Sequence, residues 1–377
     1  MPYLDHAATT PLLPQVSAAM APWLGAEFGN PSSLHARGRR AAQAVAEARE
    51  FLRGALGADR IVFTGSGTEA NNLAITGAAL ARPAGRVLCT AVEHASVRAT
   101  CARLVRLGYT ADTVPVDGTG RVDLPALERS LGADVRVVAV LYGNNETGTV
   151  APLPEIVAAV RQRCPDAHIH ADGVQAFTRL ELDVDRMDLD SASLSAHKFH
   201  GPKGTGALAL SSVARLEAIV HGGGQEGGLR SGTENVAGIV GLHHAAAIAL
   251  SERAHVVRHM EHMRARLLER LAMLRDLTVL GHPRHRLPHI LSLAVRGVVG
   301  EVLLHRLDAR DVAISTGAAC HEGKDAHNPV LAAMGLGQDL LRGAIRLSVS
   351  RLTTAAEVDQ GAAILVELVN ELRRTAA

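Results

Sequence analysis

The sequence predicts an α/β fold, with a mostly parallel sheet in a large domain and a smaller α+β domain after it. Short Val- and Ile-rich runs alternate with longer Ala-, Leu- and Arg-rich stretches of helical period in the first part of the chain. Such alternation is typical of a parallel sheet with helices on both faces. A sustained helical period from about 236 to 275 then leads away from this sheet. A chain of 377 residues is long enough for two domains.

Each predicted strand or helix of the large domain is a stretch in which the apolar residues keep a single period. The strands are RIVFT (60–64), RVLCTAV (86–92), VRVVAVLYG (135–143), HIHAD (168–172) and SASLSA (191–196). The helices between them are predicted over 37–56, 69–82, 96–107, 123–132 and 153–163. In the smaller domain, strands are expected at 290–295, 312–316 and 344–350, before a closing helix from Ala355. We expect a large domain over 15–250 and a small domain that combines 1–14 with 251–377.

Composition and charge narrow the class of protein. A net charge of +1 gives no reason to expect a nucleic acid or an acidic membrane surface as partner. No apolar run reaches the roughly 18 residues of a membrane span, and MPYLDHAATTP does not resemble a signal peptide. The four cysteines form no C-x-x-C pair, which disfavours zinc and disulfide frameworks. We therefore expect a protein of the reducing cytoplasm.

Unusual polar residues follow five of the predicted strands. They stand after IVFT, CTAV and VLYG, at the end of HIHAD, and after SLSA. Ligands bind beyond the carboxyl ends of the strands in open parallel sheets. The sequence therefore predicts one crevice at which these five strand ends meet.

The stretch TGSGTEANN (64–72) follows a strand and opens a helix. Gly65 and Gly67 permit close approach of the backbone, and Thr68 adds a hydroxyl at the helix N-terminus. This arrangement suits a phosphate group. A plain glycine turn with Thr68 as N-cap is an equally good interpretation of the stretch alone. The G-K-[ST] ending of a nucleotide-binding loop is absent.

Asp172 and Lys198 together suggest a cofactor. A carboxylate at the end of an apolar strand is costly to bury without a cationic partner, and a protonated ring nitrogen is one such partner. Lys198 lies about one strand further on, where its amine could react with an aldehyde. A carboxylate and a lysine in these roles are the pattern expected for pyridoxal phosphate, and His94 could stack on its ring. Taken singly, Asp172 is more simply a cap and His94 a structural histidine.

Cys320 is the candidate nucleophile. It lies in STGAACHEGKDAHNPV, which has glycine, polar residues and no clear period, so that we predict a loop. The thiolate is the nucleophilic form of cysteine. A small buried apolar residue is the alternative interpretation. That alternative fits Cys89, Cys101 and Cys164 better.

Ten motifs, in order and nearly end to end, resemble the cysteine desulfurase and selenocysteine lyase family. These are pyridoxal-phosphate enzymes of fold type I and aminotransferase class V. The motifs are YLDHAATTP, GNPSSLHARG, TGSGTEANNLAI, VEHASV, NNETGTVAPL, HADGVQAF, SLSAHKFHGPKGTGAL, GGGQEGGLRSGTENV, STGAACHEG and IRLSVSRLTTAAEVD.

The resemblance implies which residues hold the cofactor. They are Gly67, Thr68, His94, Asn145, Asp172, Gln175, Ser195, His197, Lys198 and Thr233. Lys198 would form the Schiff base, Asp172 would pair with the pyridine nitrogen, and Gln175 with the phenolic oxygen. Ser195, His197, Thr68 and the amide of Gly67 would bind the phosphate. Thr233 would reach the phosphate of a neighbouring subunit, which implies a homodimer. Lys203, the nearby lysine, is expected to be in solvent.

The resemblance also implies the reaction. L-cysteine would become L-alanine, and its sulfur would remain as a persulfide on Cys320, with Lys198 and His94 as the other catalytic residues. Asn30, Asn145 and Arg346 would bind the substrate, Arg346 through its carboxylate. An acceptor protein of unknown identity would take the sulfur for iron–sulfur clusters or other thio-cofactors. His321 either helps to ionise the nucleophile or has no role.

Four alternatives stay open at this point. GAACH resembles the selenocysteine lyase branch at least as well, so that L-selenocysteine is a second candidate substrate. A class V aminotransferase or β-lyase would keep Lys198 and Asp172 without needing Cys320. A pyridoxal-phosphate-binding regulator should carry a nucleic-acid module, and no such module is evident. The spacing of His255, His259 and His262 permits a metal site, although a solvated helix face is the simpler interpretation.

Overall fold

The large sheet of the computed structural model, which describes residues 2–316 and 328–376, has a mixed but mostly parallel topology. Its strands are β1 (Arg60–Thr64), β2 (Arg86–Thr90), β3 (Thr110–Val114), β4 (Val135–Leu141), β5 (His168–Asp172), β6 (Ser191–Ser195) and β7 (Gly206–Leu210). They lie in the order β1-β7-β6-β5-β4-β2-β3. β7 runs antiparallel to both of its neighbours, and the other pairs are parallel. The carboxyl ends of β1, β2, β4, β5 and β6 therefore lie at the same edge.

Helices cover both faces of this sheet. They are α1 (Pro14–Met20), α2 (Ala36–Leu56), α3 (Gly67–Leu80), α4 (Ala95–Val105), α5 (Leu124–Ser130), α6 (Leu153–Arg163) and α7 (Val236–Ser251). Alternate residues of β4 show why both faces are covered. Val138 and Val140 belong to the core under α2, α6 and α7, whereas Val137 and Ala139 belong to the core under α3 and α4. Successive side chains of a strand point to opposite faces, so an apolar run needs a helix on each side.

The smaller unit is built on a second, antiparallel sheet. Its strands β8 (Leu277–Leu280), β9 (Ile290–Val295) and β10 (Ala344–Ser348) lie in the order β10-β9-β8. Its helices are α8 (Arg253–Leu271), α9 (Gly300–Asp308), α10 (Pro329–Ala333), α11 (Gln338–Arg342) and α12 (Ala355–Ala376). Leu267, Leu293, Leu347 and Leu365 are fully buried in a core of their own. Single bridges join Tyr3 to Ala313 and Asp5 to Ser348, so the N-terminal segment lies against this unit.

The predicted α/β class with a mostly parallel sheet is confirmed, with corrections to single elements. The long helix expected over 236–275 is two helices, α7 and α8, that meet at Glu252. The predicted strand 312–316 consists of isolated bridges at Ala313 and Ser315. β3, β7 and β8 were not anticipated, because TADTV is a partly exposed edge strand and GALAL lacks β-branched residues. The boundaries of the two domains stay a prediction.

No helix in the ranges 2–316 and 328–376 is long and apolar enough to span a membrane.

Candidate active site

A cavity of about 380 Å³ lies at the carboxyl edge of the large sheet. Ten of the predicted site residues line it: Gly67, Thr68, His94, Asn145, Asp172, Gln175, Ser195, His197, Lys198 and Arg346. The five strand ends thus meet in one crevice, as the sequence predicts. Two other candidates, Asn30 and Thr233, are exposed and do not line this cavity within the described part of the chain. Cys320 and His321 lie outside the described residues.

The N-terminus of α3 forms one end of the cavity. Ser66 is the N-cap, and its hydroxyl accepts a hydrogen bond from the Glu69 amide at 3.1 Å. The cap is therefore Ser66 and not Thr68, whose exposed side chain lies at the cavity. A Cβ on Gly67 would lie 2.6 Å from Val174 Cγ2, so glycine is needed for this close packing of α3 against the end of β5. Amides at a helix N-terminus attract anions such as phosphate.

Ser195 and His197 lie next to this helix terminus. Ser195 ends β6 and is buried. His197 stands in the 3₁₀ turn Ala196–Lys198, with its Nδ1 atom 3.1 Å from Thr9 Oγ1. Burial, together with the charge of Lys198, lowers the pKa of His197 to about 4. A neutral imidazole at this position can donate a single hydrogen bond to an anion.

Lys198 projects from the same turn into the cavity. Its Nζ atom donates to the backbone oxygens of Ala7 and Ala8, both at 2.8 Å. Burial lowers the pKa of this amine to about 8, and the charges of Arg346 and Arg179 act in the same direction. After Phe199 the backbone turns sharply, since His200 has a φ of 68° and its amide bonds to Thr10 Oγ1 at 2.7 Å. The amine is thus fixed in place, and about a tenth of it is uncharged at pH 7, a far larger share than for an ordinary lysine, which favours its action as a nucleophile.

Asp172 forms the floor of the cavity. Its carboxylate accepts the Val174 amide on Oδ1 at 3.0 Å and the Asn71 side-chain amide on Oδ2 at 2.7 Å. Only 2% of the residue is exposed. A buried carboxylate with two neutral donors is suited to a cationic partner in the cavity.

His94 is the N-cap of the helix α4, and it lines the cavity. Its Nδ1 atom accepts the backbone amide of Ser96 at 3.1 Å. Because an amide can only donate, Nδ1 carries no hydrogen in this arrangement. The hydrogen of a neutral His94 therefore lies on Nε2.

Gln175 connects the large sheet to the N-terminal segment. Its Nε2 atom donates to the Ala7 oxygen at 2.8 Å, and His289 Nε2 lies 3.0 Å from its Oε1 atom. Burial holds the pKa of His289 well below its usual value, so this imidazole is neutral and donates to Oε1. The amide orientation of Gln175 is fixed by these two contacts, which leaves one N–H for a group in the cavity.

Arg346 forms the wall that the small domain contributes. Nη2 pairs with Asp5 at 2.9 Å, while Nη1 contacts the Asn145 oxygen at 3.0 Å and Glu146 Oε1 at 3.4 Å. Only 6% of the residue is exposed, and Nε has no hydrogen-bond partner among the described residues. The guanidinium is thus held at the edge of the cavity by two carboxylates, each through one contact.

Sequence reasoning missed several residues of the site. Asp5, Ala7, Ser66, Asn71, Ser96 and Glu146 line the cavity, and none was assigned a role. All six stand inside motifs already quoted, namely YLDHAATTP, TGSGTEANNLAI, VEHASV and NNETGTVAPL, so position within a motif was the available signal. Lys203 is exposed, as predicted. Among the described residues no group of His, Cys, Asp and Glu is arranged to hold a metal, and His259 Nε2 bonds to the Thr353 oxygen at 2.9 Å.

Comparison with known proteins identifies the family. Residues 2–360 match the model of aminotransferase class V. A cysteine desulfurase of Cereibacter sphaeroides is 42% identical over 377 residues, covering 98% of this chain and 96% of that protein. One of Trichormus azollae is 41% identical over 375 residues, covering 98% and 93%. A solved NifS-like protein is 33% identical, with a TM-score of 0.92 and coverage of 98% and 99%. The chain belongs to the aminotransferase class-V family, and the predicted resemblance and fold type are confirmed.

Pyridoxal 5′-phosphate is the cofactor of this family and of this chain. The cavity fits it on its own chemistry. A buried carboxylate (Asp172), an amine of lowered pKa (Lys198) and a helix N-terminus (Gly67) are the groups that a pyridinium nitrogen, an aldehyde and a phosphate require. Which of these residues contacts which part of the cofactor stays a prediction.

Proposed function

We propose that the chain is a cysteine desulfurase that converts L-cysteine to L-alanine and keeps the sulfur as a persulfide on Cys320. The observation that carries the proposal is the convergence of Asp172, Lys198 and Arg346 on one cavity. Curated relatives named cysteine desulfurase that align over nearly the whole chain support the choice of substrate. Their names favour L-cysteine over L-selenocysteine.

Different residues of the cavity are expected to bind different parts of the cofactor. Lys198 would hold the cofactor through its aldehyde, and Asp172 would pair with the ring nitrogen. Gln175 would donate its free N–H to the phenolic oxygen, and His94 and Asn145 would contact the ring. Thr68, Ser195, His197 and the amide of Gly67 bind the phosphate. Bound in this way, the cofactor supplies a ring that withdraws electrons from the Cα of an attached amino acid.

The remaining steps belong to residues of the chain. Arg346 binds the carboxylate of L-cysteine, and Lys198 removes the Cα proton as an uncharged amine. The thiolate of Cys320 attacks the substrate sulfur, so that a sulfur–sulfur bond forms as the carbon–sulfur bond breaks. The electron pair of the broken bond remains with the carbon, and His94 and Lys198 return protons that give L-alanine. Cys320 is left as a persulfide, which an acceptor protein then takes for iron–sulfur clusters or other thio-cofactors.

A second copy of the chain completes the proposed site. Asn30 and Thr233 are exposed in the single chain, although both are expected to act at the cavity. Around Asn30, Leu24, Phe28 and Leu34 are 74%, 72% and 89% exposed. Large apolar side chains exposed together support an interface. We expect Phe28→Glu to give a monomer in sedimentation, whereas Val213→Glu, at an apolar residue exposed elsewhere, leaves the dimer intact.

The proposed compartment is the reducing cytoplasm. Cys89, Cys101 and Cys164, the cysteines that the structure describes, are free thiols. Proteins of oxidising compartments tend to pair their cysteines.

The test of the function is a product assay with both candidate substrates. The purified protein is incubated with L-cysteine or L-selenocysteine, and alanine, sulfide and selenide are measured. Cys320→Ala is expected to abolish alanine formation from L-cysteine, and Cys164→Ala, which removes a buried thiol at the end of α6, is expected to leave it intact. Alanine from L-cysteine at the wild-type rate in Cys320→Ala would contradict the persulfide step, and no alanine from the wild type would contradict the function.

A further inference from the structure

A row of polar side chains runs beneath the cavity along one face of β5. His168, His170 and Asp172 alternate with apolar residues in HIHAD, so that all three point to the same face of the sheet. Their exposed fractions are 0%, 0% and 2%. Asn71 of α3 and Ser191 of β6 join them and are 1% and 0% exposed. Burial of so many polar groups is tolerable only if each has a hydrogen-bond partner.

The amide of Asn71 stands at the centre of this row. Its Nδ2 atom donates to Asp172 Oδ2 at 2.7 Å and to Ser96 Oγ at 2.9 Å. Its Oδ1 atom lies 3.0 Å from His170 Nε2. A flipped amide would set Oδ1 against the carboxylate, and two acceptors cannot bond. The orientation of Asn71 is therefore fixed, and His170 Nε2 must carry the hydrogen that Oδ1 accepts.

The direction of every other bond in the row follows. Burial lowers the pKa of both His168 and His170 to about 3, so each imidazole is neutral and has one hydrogen. His170 Nδ1 accepts from the Ser191 hydroxyl at 2.8 Å, and Ser191 Oγ accepts from His168 Nε2 at 2.7 Å. His168 Nδ1 has no partner among the described residues, as expected for the start of a chain of donors. From His168 to Asp172, every donor points towards the carboxylate.

A second branch runs from Asn71 to His94. Ser96 Oγ accepts from Asn71 and lies 2.8 Å from His94 Nδ1, to which its hydroxyl hydrogen is directed. The Ser96 backbone amide donates to the same nitrogen. Asn71 is thus hydrogen-bonded to the Asp172 carboxylate and, through Ser96, to His94, which we expect to lie against the cofactor ring.

We propose that Asn71 is a positioning residue that holds the Asp172 carboxylate as the acceptor for the protonated pyridine nitrogen and, through Ser96, holds His94 with its hydrogen on Nε2. The inference rests on the proposed function for the position of the cofactor. Without Asn71, Oδ2 of Asp172 loses its donor among the described residues and the chain from His168 no longer reaches the carboxylate. A carboxylate that is no longer held in this direction stabilises the proton of the ring nitrogen less well, so that the ring nitrogen loses this proton more readily.

The test uses cofactor labelled with ¹⁵N at the ring nitrogen. Apoprotein of the wild type, Asn71→Leu and Asn72→Leu is loaded with the labelled pyridoxal phosphate and studied by NMR without substrate at one fixed pH. Asn72 is the matched control, because it is the neighbouring asparagine and, in the part of the chain that the structure describes, its amide bonds only to the Thr68 backbone oxygen of its own helix. Affinity for the cofactor and the temperature of unfolding are measured on the same samples.

We expect the ¹⁵N resonance of Asn71→Leu to move towards that of an unprotonated pyridine, with cofactor affinity about tenfold lower, as for loss of one bond to a charged group. Asn72→Leu is expected to match the wild type. A wild-type resonance in Asn71→Leu overturns the inference even if its unfolding temperature falls, because a purely structural role would change stability alone.

A second variant and the absence of substrate allow the test to decide the role of Asn71 in every case. If Asn71→Leu does not fold, Ser191→Ala takes its place. It breaks the chain of donors two bonds from Asp172 and should move the resonance in the same direction by less, and no movement would overturn the inference. Because no substrate is present, the outcome is independent of the proposed reaction. A shifted resonance in a protein that makes no alanine would refute the function and leave this inference standing.

Discussion

The floor and the wall of the cavity are held in different ways. The floor, around Asp172, is a buried set of neutral donors that two strands and one helix supply, and the bonds from His168 to Asn71 all point towards a carboxylate. The wall, around Arg346, is a set of ion pairs whose members come from the N-terminal segment, the loop after β4 and β10. The neutral donors around Asp172 form no ion pair that a dissolved ion could replace. The carboxylates paired with Arg346, in contrast, can be replaced by the carboxylate of a bound molecule. The floor therefore suits a resident cofactor, and the wall suits a substrate that comes and goes.

Replacement of the floor carboxylate has the largest expected effect. Asp172→Ala should lower alanine formation roughly a thousandfold, since removal of one partner from a buried charged pair costs about 3–5 kcal/mol. The control is Asp190→Ala, which removes a buried aspartate bonded to Arg161 and the Ile169 amide on the same sheet. It should lower stability but not the turnover of the folded protein. Turnover in Asp172→Ala within tenfold of the wild type would remove the distinction between floor and wall.

Replacement of the wall cation should act on the substrate alone. Arg346→Leu is expected to raise KM for L-cysteine roughly a hundredfold, because a bidentate charge-assisted contact worth about 3 kcal/mol is lost. Cofactor affinity, measured by absorbance titration of the apoprotein, should stay within about twofold. Arg342→Leu, at the exposed arginine that ends α11, should change neither quantity. Loss of cofactor affinity in Arg346→Leu would show that the wall also helps to bind the cofactor.

The Lys198 amine, which lies between the floor and the wall, is expected to make the uptake of the cofactor depend on pH. An uncharged amine attacks an aldehyde, and the pKa of Lys198 is lowered to about 8. The rate at which apoprotein takes up pyridoxal phosphate should therefore rise about tenfold between about pH 7 and pH 9 and then level off. In Arg346→Leu the loss of a nearby positive charge should move this rise to higher pH. An unchanged profile in that variant would contradict the charge coupling between Arg346 and Lys198.

Exchange of the wall carboxylate has the smallest expected effect. Asp5 pairs with Nη2 of Arg346, the residue expected to bind the substrate carboxylate, so Asp5→Asn should make Arg346 easier to reach and lower KM about two- to fivefold. Glu146→Gln should do less, because its contact with Arg346 is 3.4 Å against 2.9 Å for Asp5. A raised KM in Asp5→Asn would mean that Asp5 orients the guanidinium rather than competing for it.

The floor was easier to anticipate from sequence than the wall. HIHAD is a strand in which every second residue is polar, and a polar residue at a strand end signals a site, so Asp172 and Lys198 could be found from local pattern. The partner of Asp172 stands 101 residues away in Asn71, and the partner of Arg346 stands 341 residues away in Asp5. Local period and spacing contain no information on such contacts, which depend on how helices and strands pack. The motif resemblance recovered Arg346 but not the carboxylate that holds it.

The N-terminal segment also bears on how the protein is made. Ala7 provides the oxygen that binds the Lys198 amine, and Asp5 pairs with Arg346 of β10, which follows it by 341 residues. During translation these first residues leave the ribosome long before either partner is synthesised. Domains generally fold as units from the N-terminal end onwards. The large sheet can therefore form early, but the cavity acquires its wall only once Arg346 has been synthesised, which delays competence for catalysis until the strands of the second sheet have been made.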